Sequence, residues 1–174
     1  RRVPVREVHT MALKWKKEDL KTLAEKKVEM ANSTCEALIY AGIDVELSGG
    51  TEHFALEPND QTNIDSMFTA ITLGATQYPY HADGSQCKMY VAADIMTLYV
   101  AYKSFVTYQT TYNNFLKIWI NRETDKNALA GITYGSTLPE DLLTQVQGII
   151  AAAQAEIESV VAKLTQQAAG GGNA

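Results

Sequence analysis

The chain is poor in the residues from which reactive sites are built. Its 174 residues include three histidines and two cysteines, and they form no HExxH, CxxC or paired-histidine spacing. A structural zinc draws four Cys or His ligands at close spacing, which this supply does not offer. Cys35 and Cys87 are too few for a disulfide framework, and both are expected to be reduced. Long apolar runs are also missing. No stretch reaches the roughly 20 residues that a membrane-crossing helix needs, and the opening "RRVPVREVHTM" has no signal-peptide core. Net charge is -5, so no broad basic field exists to neutralise phosphates, which argues against a nucleic-acid binder. "SGG" and "GGG" lack the Lys–Ser/Thr or strand-to-helix setting of phosphate loops. "NST" at Asn32 falls inside a predicted helix and is a glycosylation sequon by letter only.

What is present suits one packed domain. Hydrophobic residues make up 46% and charged residues 20%, enough apolar material for a core without staples. Positive charge gathers in "RRVPVREVHTMALKWKKEDLKTLAEKK". That is a solvated helix face or a docking patch for an acidic partner. The chain opens on Arg1 rather than Met, and residues 1–15 read as an N-terminal arm that can continue an upstream segment.

A helical pattern starts near Lys16, with Leu20, Ala24, Val28, Ala31, Cys35 and Leu38 on one face and Gly42 as its stop. "IDVELSGGTEHFAL" alternates apolar and polar residues around a glycine pair and predicts a small hairpin. A second helix follows Pro58, capped by Asn59 or Asp60, burying Ile64, Met67, Phe68, Ile71 and Leu73 and ending at Gly74. A third runs from about Ala92 to Asn121. Its large side chains (Ile95, Leu98, Tyr99, Tyr102, Val106, Tyr112, Leu116, Trp119) form a core stripe, and Lys103, Thr107, Thr110, Asn113 and Lys117 a polar face. Tyr108, Tyr78 and Tyr80 stand outside that stripe as candidates for a partner surface. Residues 16–136 thus read as a helical domain with two hairpins.

"TLPE" at Thr137–Glu140 has capping-box spacing, with Pro139 in the first turn. The amphipathic helix it opens, 137–167, carries Leu143, Val146, Ile150, Ala153, Ile157, Val160 and Leu164 in alternating steps of three and four. Leu142, Ile149 and Val161 widen that heptad seam. Such a seam packs within its own domain, against copies of itself, or against a neighbouring subunit. Residues 168–174 read as a flexible tail.

The stretch "YPYHADGSQCKMY" concentrates the candidate chemistry: His81, Asp83 and Cys87 around Gly84. As a metal site it offers too few ligands. As a nucleophilic site it lacks a flanking oxyanion hole or cleft. The reading preferred is a structural turn, with Cys87 facing inward as a small apolar side chain, His81 donating to a backbone carbonyl and Asp83 holding the turn. Carboxylate pairs such as Glu18–Asp19 and Glu140–Asp141 fall at helix starts, where the helix dipole accounts for them. No catalytic, cofactor-binding or metal-ligating residue is assigned, and the chain is read as a non-enzyme.

The succession "STCEALIYAGIDVEL", "HFALEPNDQTNI", "YPYHADGSQCKMYVAADIMTL", "TYQTTYNNFLKIWIN" and "ITYGSTLPED" resembles a domain of unknown function (DUF family 4376). That domain is found in tail-fibre and baseplate regions of phages and prophages of Gram-positive bacteria. The resemblance runs from about Leu20 to about Leu143. Ser85 stands where an acidic residue often follows the turn glycine, and Lys88 where an Arg often follows the cysteine. The resemblance implies a structural component of a contractile phage tail or phage-tail-like bacteriocin, made in the bacterial host cytoplasm and built into the particle. Its partners would be other tail, baseplate or fibre proteins. A homo-oligomer is expected, a trimer being one candidate, with no nucleic acid, cofactor or membrane span. The alternative is a tail-fibre assembly chaperone that is not retained in the particle. The fold expected is mainly α with small β-hairpins and a C-terminal coiled-coil-like helix.

Overall fold

A computed structural model describes the backbone of residues 5–170 and the side chains of residues 19–166. The order is α1 (Val5–Ala41), β1 (Ile43–Leu47), β2 (Gly50–Phe54), α2 (Pro58–Thr72), β3 (Gln77–Tyr80), β4 (Lys88–Val91), α3 (Ala92–Arg122), α4 (Lys126–Gly131) and α5 (Glu140–Gly170). The chain is mainly α with two small antiparallel hairpins, as the patterns predict.

Helix α1 begins at Val5, well before Lys16, so most of the supposed 1–15 arm is continuous with it. Leu20, Ala24 and Val28 are half-buried, and Ala31 and Cys35 are buried. The stripe then takes Ile39, leaving Leu38 40% exposed, because a four-residue step from Cys35 returns to the buried face. Gly42 turns the chain at φ 83, and a Cβ there would lie 2.1 Å from the Phe54 carbonyl oxygen. Only glycine satisfies both the backbone angle and that approach.

In the first hairpin Ile43 pairs with Phe54 and Leu47 with Gly50. Val45 and Leu47 point inward while Asp44 and Glu46 face solvent. The second hairpin pairs Gln77 with Val91 and Pro79 with Met89. Tyr80 and Tyr90 point into the core, whereas Met89 and Val91 remain 51% and 47% exposed. Tyr80, a candidate surface residue by sequence, is therefore core, because its strand face is the one that meets Phe54.

Helix α2 is capped ahead of the expected Asn59 or Asp60. Glu57 is the N-cap, Pro58 takes the first helical position, and the Asp60 carboxylate accepts the Glu57 amide at 3.2 Å. The far end closes as a Schellman motif. The Ala75 amide donates to Ala70 and the Gly74 amide to Ile71, both at 3.0 Å. Leu73 lies at that cap, beyond the last turn, and is 83% exposed rather than buried.

Helix α3 runs through two cores. The first gathers both hairpins, α2, Cys35, Ile39 and the N-terminal half of α3 through Tyr102. The second gathers Ala31, α3 from Tyr112 to Ile120, Leu129, Ile132 and the start of α5. Tyr134 packs against both. Asn113, expected on the polar face, is buried and donates to Asn32 of α1 at 2.9 Å. Short helix α4 has no periodic signature, but Asp125 caps it by accepting the Ala128 amide at 2.7 Å. Lys27 reaches from α1 to the carbonyls of Ala130 and Ile132 at 2.6 and 2.7 Å. The Thr137 capping box does not form. Helix α5 starts at Glu140, and the Pro139 carbonyl accepts the amides of Leu142 and Leu143 at 2.9 Å. Leu138, Leu142 and Val146 carry the packed body past residue 136. The helix continues to Gly170, into the stretch expected to be a flexible tail.

Two glycines separate strain from crowding. Gly42→Ala should cost more than about 2 kcal/mol, since left-handed strain adds to a backbone clash. Gly84→Ala, at φ 68 with open space around it, should cost about 1 kcal/mol. Urea unfolding midpoints of the two variants test that order.

Candidate functional site

The turn that concentrates His81, Asp83, Gly84 and Cys87 is the loop between β3 and β4. Gly84 supplies the left-handed residue at φ 68, and the Ser85 amide donates to Ala82 at 3.1 Å. His81 is exposed, stacks on the Tyr80 ring with centroids 5.2 Å apart, and its Nδ1 lies 3.3 Å from the Ala82 carbonyl. Cys87 does not face inward; it is exposed. It lies in the loop just before β4, where no strand alternation directs it to the core. No hydrogen bond joins His81 to Cys87 among the described residues, so these two do not assemble as nucleophile and base. No group of three or more His, Cys, Asp or Glu side chains is placed to hold a metal among the described residues.

Asp83 does hold the turn, but through the other hairpin. Its amide donates to the His53 carbonyl at 2.9 Å, and its carboxylate lies 3.8 Å from His53 Nε2. The imidazole beside Asp83 is thus that of His53, which the sequence does not single out. The hairpins are joined a second time at Glu52. Its carboxylate accepts from Lys88 at 2.7 Å and from the Tyr90 hydroxyl at 2.6 Å, with the side chain only 16% exposed. Burial pushes the Glu52 carboxyl up, yet the hydrogen bonds from Lys88 and Tyr90 outweigh it and hold the group below the ordinary range. A third tie joins Ser48 of the first hairpin to α3. The Asp94 carboxylate accepts the Ser48 amide and hydroxyl at 2.9 and 2.7 Å.

The tyrosines near these ties are donors rather than bases. Burial, then the Asp60 charge, pushes the Tyr80 phenol up to about 12. Burial, then the bond to Glu52, raises Tyr90 as well.

A second feature is a groove of about 650 Å³ between α1, α3, the 134–138 loop and α5. Its lining includes Leu38, Tyr108, Tyr112, Tyr134, Leu143 and Ile150, and no charged side chain. Tyr108 is 48% exposed and stacks on Tyr112 at 6.3 Å. The Tyr112 hydroxyl donates to the Ser136 carbonyl at 2.7 Å and accepts the Gly135 amide at 2.9 Å. Tyr134 donates to Gln109 Oε1 at 2.8 Å. These bonds fix the groove floor, leaving an apolar surface with hydroxyl rims.

The heptad seam divides along α5. Val146 is 3% exposed and belongs to the chain's own second core, so it is not available as an intermolecular contact. This corrects its expected interface role, and the cause is the packing of the first turns of α5 onto α3. Leu143 and Ile150 pack on that core from its edge. Beyond Ile150 no described residue of α5 belongs to either core or packs against it. Ser104 donates to Gln154 at 2.8 Å, and Ala153, Ile157, Val161 and Leu164 are half-buried. Val160 and Ile149 are 41% and 46% exposed. No helix among the described residues is long and apolar enough to cross a membrane.

The family model of a domain of unknown function, DUF4376, matches residues 22–133. The chain belongs to this family. The match takes in most of α1, both hairpins, α2, α3 and α4, and stops before α5. No curated protein and no solved structure matches the chain.

Acid should loosen the junction of the two hairpins. Because the folded carboxyl of Glu52 titrates below its ordinary value of 4.5, its contribution is full above that value. It is lost as pH falls through the lower folded value. Urea midpoints of the native chain should drop in that window. Glu52→Gln should lower the midpoint at neutral pH and reduce the acid slope. A residual slope should remain, because Asp141, held low by Arg122 at 2.6 Å, titrates in the same direction.

Proposed function

We infer that this chain is a structural component of a phage tail or phage-tail-like particle, in the baseplate or tail-fibre region, acting through protein–protein contacts. The observation that carries the reading is the second half of α5. From residue 151 to Gly170 the helix extends about 30 Å at 1.5 Å per residue. It keeps the three–four apolar spacing of Ala153, Ile157, Val160 and Leu164, none of which belongs to either core; Val160 is 41% exposed and the other three are half-buried. A helix whose apolar spacing outlasts its own core presents a strip that a second protein surface can cover. The tail-module setting that the resemblance to DUF4376 implies is the second support for the reading. The oligomer proposed is a self-assembly through this distal half, with Ile157, Val160 and Leu164 as contacts.

The competing reading is a tail-fibre assembly chaperone. It is favoured by the uncharged, tyrosine-lined groove, whose volume suits an apolar segment of a client chain. The two readings part on where the protein ends up.

Mass spectrometry of particles purified from the producing bacterium should find the chain at stoichiometric level; its absence supports the chaperone instead. Val160→Lys with Ile157→Lys should leave far-UV helix content unchanged, while lowering solution mass and incorporation into particles at least about tenfold. Equal incorporation of the double variant removes the distal seam from the mechanism.

A further inference from the structure

The end of α1, strand β1 and the distant β3–β4 loop converge on one imidazole. His53 in β2 stands directly opposite Asp44 in β1. Its Nδ1 lies 2.7 Å from an Asp44 carboxylate oxygen. Its Nε2 lies 2.8 Å from the carbonyl of Ala41, the last residue of α1, and 3.8 Å from the Asp83 carboxylate in the β3–β4 loop. The main chain adds one bond, from the Asp83 amide to the His53 carbonyl.

Every side-chain partner of this ring is an acceptor. A neutral imidazole donates from one nitrogen and turns a lone pair outward from the other. Here that lone pair would face either the Asp44 carboxylate or a helix-terminal carbonyl. The imidazolium donates from both nitrogens and satisfies both. The carbonyl end of α1 also carries the negative pole of the helix, which favours a cation.

We propose that His53 is a protonation-dependent clasp whose cationic form ties the end of α1 and the first hairpin to the 81–87 loop, and whose deprotonation releases that loop. The groups facing the ring are Asp44 from β1, Asp83 from the loop and the Ala41 carbonyl from α1. Glu52, its neighbour in β2, is held by Lys88 and Tyr90 instead. The ring is 44% exposed, so protons exchange with solvent without unfolding. The hydrogen bond to Asp44, then that to Ala41, raises the imidazole above its ordinary value of 6.5 against a smaller opposing effect of burial. A group raised in the folded state contributes fully below its unfolded value and loses that contribution as pH rises through the folded one. The clasp is therefore closed in mild acid and opens on the alkaline side of 6.5. The released segment carries Gly84, the solvent-facing His81 and the exposed Cys87, so the surface presented by the second hairpin changes with pH. The Glu52 tie stays in place and keeps β4 anchored.

The test is an NMR titration of the full chain through the range of His53, with amide exchange read at Asp83 and, as a control in the first hairpin, at Val45. His53 should titrate above 6.5, and Asp44→Asn should lower its proton affinity at least about threefold. Protection of the Asp83 amide, corrected for base catalysis, should fall at least about threefold through that titration while Val45 stays constant. In His53→Gln the Asp83 amide should be weakly protected at every pH. In Asp83→Asn the imidazole should titrate lower with Val45 unchanged. A wild-type His53 that titrates at or below 6.5 overturns the clasp, as does Asp83 protection that does not change across the titration. The wild-type data alone decide the matter if a variant fails to fold.

Discussion

Helix α3 must bury apolar side chains over 31 residues, about 46 Å of helix. Neither a hairpin nor a short helix can cover that length. The chain meets the demand with two cores set end to end along one spine. Hairpins and α2 cover the first half, while α1, α4 and the start of α5 cover the second. Where the cores meet, polar atoms are buried, and each needs a partner to avoid a desolvation cost. The Cys35 thiol donates to the Gln109 carbonyl at 3.5 Å, Tyr134 donates to the Gln109 amide oxygen, and Asn113 donates to Asn32. The junction is thus polar and largely paired, the Asn113 side-chain oxygen being the buried atom there without a partner, and these bonds fix the register of α1 on α3 in a way that greasy contacts alone would not.

This division explains which parts could be read from residues alone. The ends of α3 were legible because its stripe is long and no Gly or Pro interrupts it between Ala92 and Arg122. The hairpins were legible because alternation meets glycine turns. Helix α4 was not, because six residues carry no period and hold their shape through Asp125 and the contact from Lys27. Asn113 reads as a surface residue on its own helix. Only Asn32, distant in sequence, makes its burial affordable. Leu38 was misplaced because one residue of helical phase separates core from solvent, and Leu73 because the helix ends just before it.

The motif that looks most reactive turned out to organise contact between hairpins. His81 and Cys87 stay at the surface, and Asp83 alone reaches a partner. The imidazole that matters, His53, lies amid ordinary strand residues. Nothing local marks it, because its environment is assembled by β1, the last turn of α1 and a loop some thirty residues downstream (53 to 83). Single-sequence reasoning sees spacing, whereas a site completed by a loop thirty residues away has no spacing to see.

Pro79 has a further bearing on how the second hairpin meets other chains. A proline is tolerated in a sheet only where its ring nitrogen turns away from the ladder. Paired with Met89, it leaves the free margin of β3 without one of its donors. That gap lies beside the uncovered thioether of Met89 and the isopropyl group of Val91, which would otherwise invite fibrillar stacking. Neighbouring copies of this chain are thereby discouraged from zipping hairpin to hairpin.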